Sequence, residues 1–407
     1  MRVLMVNKFH YVKGGSETYC FALKRLLQER GHTVIDFCMA DERNLPSPYS
    51  AYFVSNQDYH SAGGVFQQAK AACKFVYSLE AKRKFERLIR DAKPDLVHLH
   101  LFHHQISPSI LDVVRKHHLP TVYTAHDLQL LCPDYKMLRH GTPCEACLNG
   151  QVFSCVRNRC VMDSFGKSVL SALENKLHRA RGVYDVIQAI ITPSAFYRDL
   201  FLRAGYAPER VVHLPNFWYE PEISPNRNTE EAPYILFTGR LTKEKGLRTL
   251  LRAVEGTDIP LRIAGTGPME EELRRLIRER SMENVRLLGF LRGEALYREI
   301  SGARAIVLPS EWYENGPYSA IEGLCFGRPI VGSRIGGIPE LIGDNGMLTE
   351  PGNAAALRQA LQTMLHKPKD QWEAMSQASR RLFEARHTAK VYAERLGEVY
   401  GKLGVKL

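Results

Sequence analysis

Residues 310–322 read Ser-Glu-Trp-Tyr-Glu-Asn-Gly-Pro-Tyr-Ser-Ala-Ile-Glu, and the fold turns on them. An apolar, strand-like run at 305–308 comes just before. Asn315, Gly316 and Pro317 then make a turn that opens a helix. Strand, loop, helix is the repeating unit of an open α/β sheet. Pro317 suits the first helical turn, where its missing N–H is not needed. Free backbone N–H groups and the helix dipole then favour an anion at the loop. Glu314 stands at the rim of that cradle and Glu322 one to two turns into the helix, beside the anion rather than on it. Two carboxylates flanking an anion cradle suit a sugar nucleotide diphosphate.

Working outward, the run 234–238 reads as a strand. Gly239, Arg240, Lys245 and Gly246 follow at its carboxyl end. Arg240 and Lys245 are placed to converge on one diphosphate, Arg as a planar fork and Lys as a point charge. Run 261–264 leads into Gly265-Thr266-Gly267-Pro268, a second strand-to-helix glycine turn. Run 285–288, with Gly289 and Phe290, is placed to border a nucleobase. From residue 353 onward the pattern is helical, with no new strand.

The N-terminal half opens the same way. A strand at 3–6 precedes Lys13-Gly14-Gly15-Ser16, then comes a helical pattern to Arg30 ended by Gly31, then a strand at 33–38. The loop is not GxGxxG, which argues against a nicotinamide dinucleotide, but its glycines permit close approach to a ligand. Residues 65–93 read as one long amphipathic helix, with Phe66, Ala69, Cys73, Val76 and Leu79 at helical spacing and a basic second half. That basic face is either solvated or turned to an anionic membrane. Strand 95–100 places His98 and His100 on one face, and His103 and His104 follow. Without a carboxylate partner these histidines argue against a metal, and His100 at the strand's end is placed to touch substrate. Strand 120–125 ends in His126-Asp127, where open sheets bind ligands. A helix at 164–181, a strand at 186–192 and a helix ending at Gly205 follow, and the run 211–216 closes this half.

Five of the nine cysteines fall within 132–160. Cys144, Cys147, Cys155 and Cys160 have the spacing C-x2-C-x7-C-x4-C, in a segment short of core residues. A structural Zn²⁺ on these four thiolates is the expectation, with an iron–sulfur cluster or oxidisable thiols as alternatives. Cys132 makes the set odd. Nothing in the pattern makes the metal catalytic.

The bulk properties agree with two domains. The chain has 407 residues, 44% hydrophobic and 24% charged. No apolar run approaches the roughly 18 residues of a membrane span, and the first apolar run is too short for a signal peptide. A cytoplasmic protein is expected, peripheral on the inner face of the membrane at most. The formal charge is +11, and residues 1–215 hold 28 Lys and Arg against 19 Asp and Glu. No nucleic-acid motif accompanies this charge, so an anionic substrate or an anionic membrane is the expected partner.

In this order the pieces resemble the retaining glycosyltransferases of family 4, which have the GT-B fold. The resemblance rests on Gly14-Gly15-Ser16-Glu17, His126-Asp127, Gly239-Arg240 with Lys245-Gly246, Gly265 and Gly267, Glu314 with Glu322, and Gly336-Gly337-Ile-Pro-Glu340. It spans nearly the whole chain, and the cysteine insert departs from the minimal pattern. It implies two Rossmann-like domains facing a cleft. These would be 1–217 on the acceptor side, with the insert 132–160, and 234–385 on the nucleotide-sugar side. A linker at 218–233 would join them, and 386–407 would cross back to the first.

By the same resemblance, Arg240 and Lys245 would neutralise the diphosphate of a UDP- or GDP-sugar. Glu322 would hold the ribose hydroxyls and Glu314 the transferred sugar. Gly15, Gly265 and the backbone of Asn315, Gly316, Pro317 and Tyr318 would meet the donor, and His126 would touch the sugar from across the cleft. Gly14, Ser16, His100 and Asp127 would line the acceptor side, for a glycan or lipid-linked glycan. Retaining, metal-independent transfer with no required cofactor is expected. A sugar-nucleotide epimerase of the same fold and a non-catalytic sugar-nucleotide-binding assembly protein are the alternatives.

Overall fold

The computed structural model describes residues 1–56, 65–222 and 233–407, with side chains from residue 71 onward in the second of these segments. Two parallel sheets of six strands organise it. The first draws on β1 (Arg2–Val6), β2 (Thr33–Phe37), β3 (Leu96–Leu99) and β4 (Thr121–Thr124). A small antiparallel hairpin, β5 (Leu138–Arg139) and β6 (Thr142–Pro143), interrupts the series before β7 (Ala189–Thr192) and β8 (Val211–His213). The sheet order is β2-β1-β3-β4-β7-β8. The second sheet contains β9 (Ile235–Thr238), β10 (Leu261–Ala264), β11 (Val285–Gly289), β12 (Ala305–Leu308), β13 (Ile330–Ser333) and β14 (Gly346–Thr349), in the order β11-β10-β9-β12-β13-β14.

The sequence builds these sheets through short apolar runs. Every residue of β3, β4, β7, β9, β12 and β13 is buried, as helices on both faces of a parallel sheet require. In each sheet the order reverses beside one strand. β1 lies between β2 and β3, and β9 lies between β10 and β12. Chain connections leave such a point in opposite directions and open a crevice at the carboxyl ends of the strands.

The last helix, Ala389–Gly401, belongs to the packing of the first sheet. Its Tyr392, Leu396, Val399 and Tyr400 share a core with Val3, Met5, Leu23 and Val122. Tyr400 Oη is 2.7 Å from His98 Nδ1. Where the chain crosses, Trp218 N–H donates to the His387 carbonyl at 2.8 Å. Residues 223–232 of the expected linker lie outside the described residues.

Two local expectations change. The single helix expected at 65–93 is two helices, Val65–Val76 and Leu79–Ala92. Ser78 breaks it. Its hydroxyl caps the Ala81 N–H at 3.1 Å, and its own N–H donates to Ser107 Oγ at 2.8 Å. Pro317 is the N-cap of helix Tyr318–Cys325 rather than a residue of its first turn.

Candidate active site

The crevice between β9 and β12 brings two loops together. The loop after β9 carries Arg240 and the turn Lys243–Lys245, and the loop after β12 carries 309–317. Lys245 Nζ donates to Glu314 Oε1 at 2.6 Å, and Ser310 Oγ donates to the same oxygen at 2.6 Å. Glu314 is only 5% exposed. Burial alone would raise its carboxyl. The Lys245 charge and the two hydrogen bonds outweigh burial and hold Glu314 below the usual carboxylate range. Glu314 is therefore an ionised, fixed carboxylate.

Glycine makes this approach possible. Gly246 has φ +70°, and a Cβ there would collide with the Pro309 carbonyl. Gly265, after β10, packs in the same way against the Gly239 carbonyl. Phe290, beyond β11, is 68% exposed.

Glu322 differs from Glu314. It is half-buried in helix Tyr318–Cys325, and its carboxylate has no hydrogen-bond partner among the described residues. Burial pushes its carboxyl up to about 8. The two acids of the opening stretch are thus separated in chemistry, one locked to a cation and one poised near neutrality.

The other wall comes from the N-terminal half. Gly14 caps helix Gly15–Glu29 at the end of β1. A Cβ on Gly15 would come within 3.3 Å of Tyr318 Cδ2, so the two halves meet backbone to ring at this point. Ser16 donates to Glu17 Oε1 at 2.9 Å, a bond within the first turn of its own helix. Lys13 lies within the field of Arg240. Its ammonium is pushed below the lysine range by burial, with Glu17 opposing and Arg240 and Arg43 adding to the shift. Lys8 is lowered by burial and then by Lys13. Lys8 and Lys13 were not among the expected site residues, and the structure brings their charges close together beside this wall. Their position at the carboxyl end of β1 was the available signal.

His126 follows β4. Its Nε2 lies 3.2 Å from His100 Nδ1, and its ring packs edge-on to Tyr19 with centroids 4.9 Å apart. Burial pushes His126 down to about 3 and His100 well below its usual value, so both rings are neutral. His100 has no exposed surface and lies behind His126. Among the described residues, Cys20, His100 and His126 are the group of potential metal ligands whose ligand atoms all lie within 4.8 Å of one another. Asp127 Oδ1 accepts from the Gln129 N–H at 3.1 Å, and burial pushes the carboxyl up to about 6.

The loop at 315–316 ties the halves together. Asn315 Nδ2 donates to the Ala125 carbonyl at 2.6 Å, and Ser194 Oγ donates to Asn315 Oδ1 at 3.0 Å. Asn216 Nδ2 donates to the Gly316 carbonyl at 3.0 Å. Glu340 accepts from the N–H groups of Ala195 and Phe196, each at 2.8 Å, at the start of helix Ala195–Arg203. Tyr313 donates to Glu145 Oε1 of the cysteine insert at 3.0 Å. In the insert, Cys132, Cys147 and Cys155 are buried free thiols, and Cys144 and Cys160 are half-buried free thiols.

With this geometry in view, comparison with known proteins is direct. Residues 13–217 match the family model described as Glycosyltransferase Family 4, and residues 220–382 match that described as Glycosyl transferases group 1. The D-rhamnosyltransferase WbpZ of Pseudomonas aeruginosa is 33% identical over 140 residues, which are 33% of this chain and 37% of that protein. An uncharacterized 42.6 kDa protein in the cps region of Klebsiella pneumoniae is 23% identical over 353 residues, 84% of this chain and 87% of that one. The chain spans less than half the length of the first curated relatives it matches. HepE from Anabaena, solved in complex with UDP, superposes with a TM-score of 0.70 at 15% identity over 99% of this chain and 100% of its own. The two-sheet architecture is the GT-B fold.

Proposed function

The chain belongs to glycosyltransferase family 4, and from that premise we propose that it moves a sugar from a nucleoside diphosphate donor to a hydroxyl of a glycan or lipid-linked glycan, with retention. The observation that carries this reading is the Lys245–Glu314 pair in the β9/β12 crevice, with Lys13 of the other half within reach of Arg240's charge. The donor's diphosphate lies among Arg240, Lys245 and Lys13. Glu322 accepts the ribose hydroxyls, and Glu314 accepts a hydroxyl of the transferred sugar while Lys245 keeps it ionised.

In the reaction the C1–O bond to the diphosphate breaks and negative charge grows on the leaving phosphate. Fixed cations stabilise that charge without reorganising, and losing one such group costs about 3–4 kcal/mol of transition-state stabilisation. The acceptor oxygen bonds to C1 on the face the phosphate leaves. Its proton passes to a phosphate oxygen, so the products are the glycoside and the nucleoside diphosphate. Neutral His126 contacts the sugar as a hydrogen-bonding partner, not as an acid, because its ring does not protonate in the working range. The side-chain cations replace the charge a divalent metal would supply, so activity is unchanged by a chelator.

The basic N-terminal half favours an acceptor at an anionic membrane surface, and a relative in a cps region supports a glycan product. No helix among the described residues is long and apolar enough to cross a membrane. The test is a screen of UDP- and GDP-sugars for donor binding by thermal shift. One nucleotide family should stabilise the wild type and fail to stabilise Glu322→Ala.

A further inference from the structure

Helix Phe165–Ala180 turns its polar face to the core. Its buried positions are Ser168, Ser171, Ala172, Glu174, Asn175 and His178, with no large apolar side chain among them. Phe165, Leu173 and Leu177 are exposed, and Val169 is half-buried. These four recur at every fourth residue and so share one face of the helix. A surface helix normally packs such a stripe inward and shows its polar residues to water.

Backbone groups beneath the helix explain the inversion. Asn175 Nδ2 donates to the Gln129 carbonyl at 3.3 Å, and Arg179 donates to the Leu130 carbonyl at 2.6 Å. Both carbonyls belong to the loop that follows His126-Asp127. His178 Nε2 lies 2.9 Å from the Val76 carbonyl, and Glu174 lies 3.5 Å from His104. Buried carbonyls need donors, so the polar face goes in and the apolar stripe stays out.

The stripe does not stand alone. Among the described residues, Phe153, Met162, Phe165, Leu173 and Leu177 are five of the ten large apolar side chains that are exposed. Lys176 Nζ lies 4.9 Å from the centre of the Phe153 ring, which sits in the short helix Phe153–Arg157, and Lys167 Nζ lies 3.4 Å from the Met162 sulfur. Charge borders this surface. Residues 151–181 hold six Lys and Arg against Asp163 and Glu174, and Glu174 is buried. Arg157, Arg159, Lys167, Lys176 and Arg181 are exposed. An apolar stripe with basic flanks fits the headgroup boundary of an anionic bilayer, where Lys and Arg stems lie along apolar surface and their charges reach the phosphates. A second copy of the chain fits poorly, because a two-fold contact would set one basic flank against the other.

We propose that helix Phe165–Ala180, with Phe153 and Met162, is the surface by which the chain rests on an anionic membrane. The apolar side chains enter the headgroup boundary without crossing the bilayer. This deepens the reading of a membrane-linked acceptor given above. It also sets aside the basic face of helix Leu79–Ala92, which buries Phe85, Leu88 and Ile89 in the core and has no apolar side left for lipid. On its inner face the docking helix holds the loop after His126-Asp127, so the membrane surface and the proposed acceptor wall share one helix.

The test is co-sedimentation of the full chain with vesicles, without donor or acceptor, so that failure of docking and failure of the transfer reading stay separate. Vesicles of phosphatidylcholine and phosphatidylglycerol in equal parts should carry the protein down, and pure phosphatidylcholine should carry far less. Leu173→Ser with Leu177→Ser, and separately Lys167→Glu with Lys176→Glu, should each weaken binding at least about tenfold. Both variants should melt near the wild type, because all four side chains are exposed. Arg83→Glu with Arg87→Glu makes the same change in charge on helix Leu79–Ala92 and should weaken binding far less. Tryptophan emission of Phe165→Trp should be quenched by brominated acyl chains. Binding that ignores lipid charge, survives the leucine or lysine changes, or falls equally in the Arg83/Arg87 variant would overturn the proposal. So would an unquenched Phe165→Trp, no binding to either vesicle, or a concentration-dependent dimer that the leucine variant abolishes.

Discussion

Lys245 Nζ lies 2.6 Å from Glu314 Oε1, and the two residues come from loops after neighbouring strands 69 positions apart in the chain. The pair joins the stability of the crevice to its charge. Glu314 is buried, whereas Lys245 keeps its ammonium partly in solvent.

Lys245→Ala leaves Glu314 buried with only Ser310 to bond it. Removing one partner of a buried pair typically costs about 3–5 kcal/mol, and the exposed side of Lys245 puts this one at or below the lower end. The expected result is a clear fall in the denaturant midpoint at pH 7. The sign follows from Glu314's lowered carboxyl. Its stabilisation is present above the unfolded carboxylate value and is lost as pH falls through the folded one. Mutant and wild type should therefore converge in strongly acid solution. A constant gap at all pH values would contradict the charge pair.

Arg240→Ala removes an exposed side chain and should leave the melting temperature nearly unchanged. Its turnover should nevertheless fall at least about tenfold, since the lost group acts on the leaving phosphate. Steady-state kinetics beside a thermal melt checks both halves of the prediction.

Glu322→Gln tests the carboxyl that burial raises to about 8. A raised acid contributes stability that is present below its unfolded value and lost as pH rises toward its folded value. The Gln variant should match the wild type near pH 4 and exceed it at pH 8. Donor affinity in the wild type should strengthen as pH rises toward 8, because the ionised form is the better acceptor for a diol, and it should be flat in Glu322→Gln. Calorimetric titration across this range reads the difference.

Gly15→Val adds bulk where a Cβ already lies 3.3 Å from Tyr318. The halves should separate at that point. Small-angle scattering should show a larger radius of gyration, and turnover should fall more than donor affinity. Pairing it with Tyr318→Ala should restore part of the loss.

The sequence shows most plainly what local chemistry dictates. β1, β9 and β12 are apolar runs that end in glycine loops, and the ligand crevice follows from their order. β13 and β14 were not read as strands, because Gly332 and Gly346 interrupt short runs whose pairing is tertiary. The break at Ser78 escaped for a similar reason. Helical periodicity continues through it, and its partner Ser107 lies 29 residues away. Within the site, the two acids and two cations were legible from loop position. The bonds of Asn315 to Ala125 and of Asn216 to Gly316 depend on how distant segments fold together. Lys13 looks like an ordinary basic loop residue until the charge of Arg240 is seen to reach it.

The most direct test of the account is release of nucleoside diphosphate from UDP- and GDP-sugars by the purified protein with glycan-lipid acceptor extract. The account predicts release with one nucleotide family, dependent on acceptor, insensitive to chelator, and lowered at least about tenfold in Arg240→Ala. Donor conversion to an epimer with no diphosphate released, or donor binding with no turnover under any pairing, would contradict it.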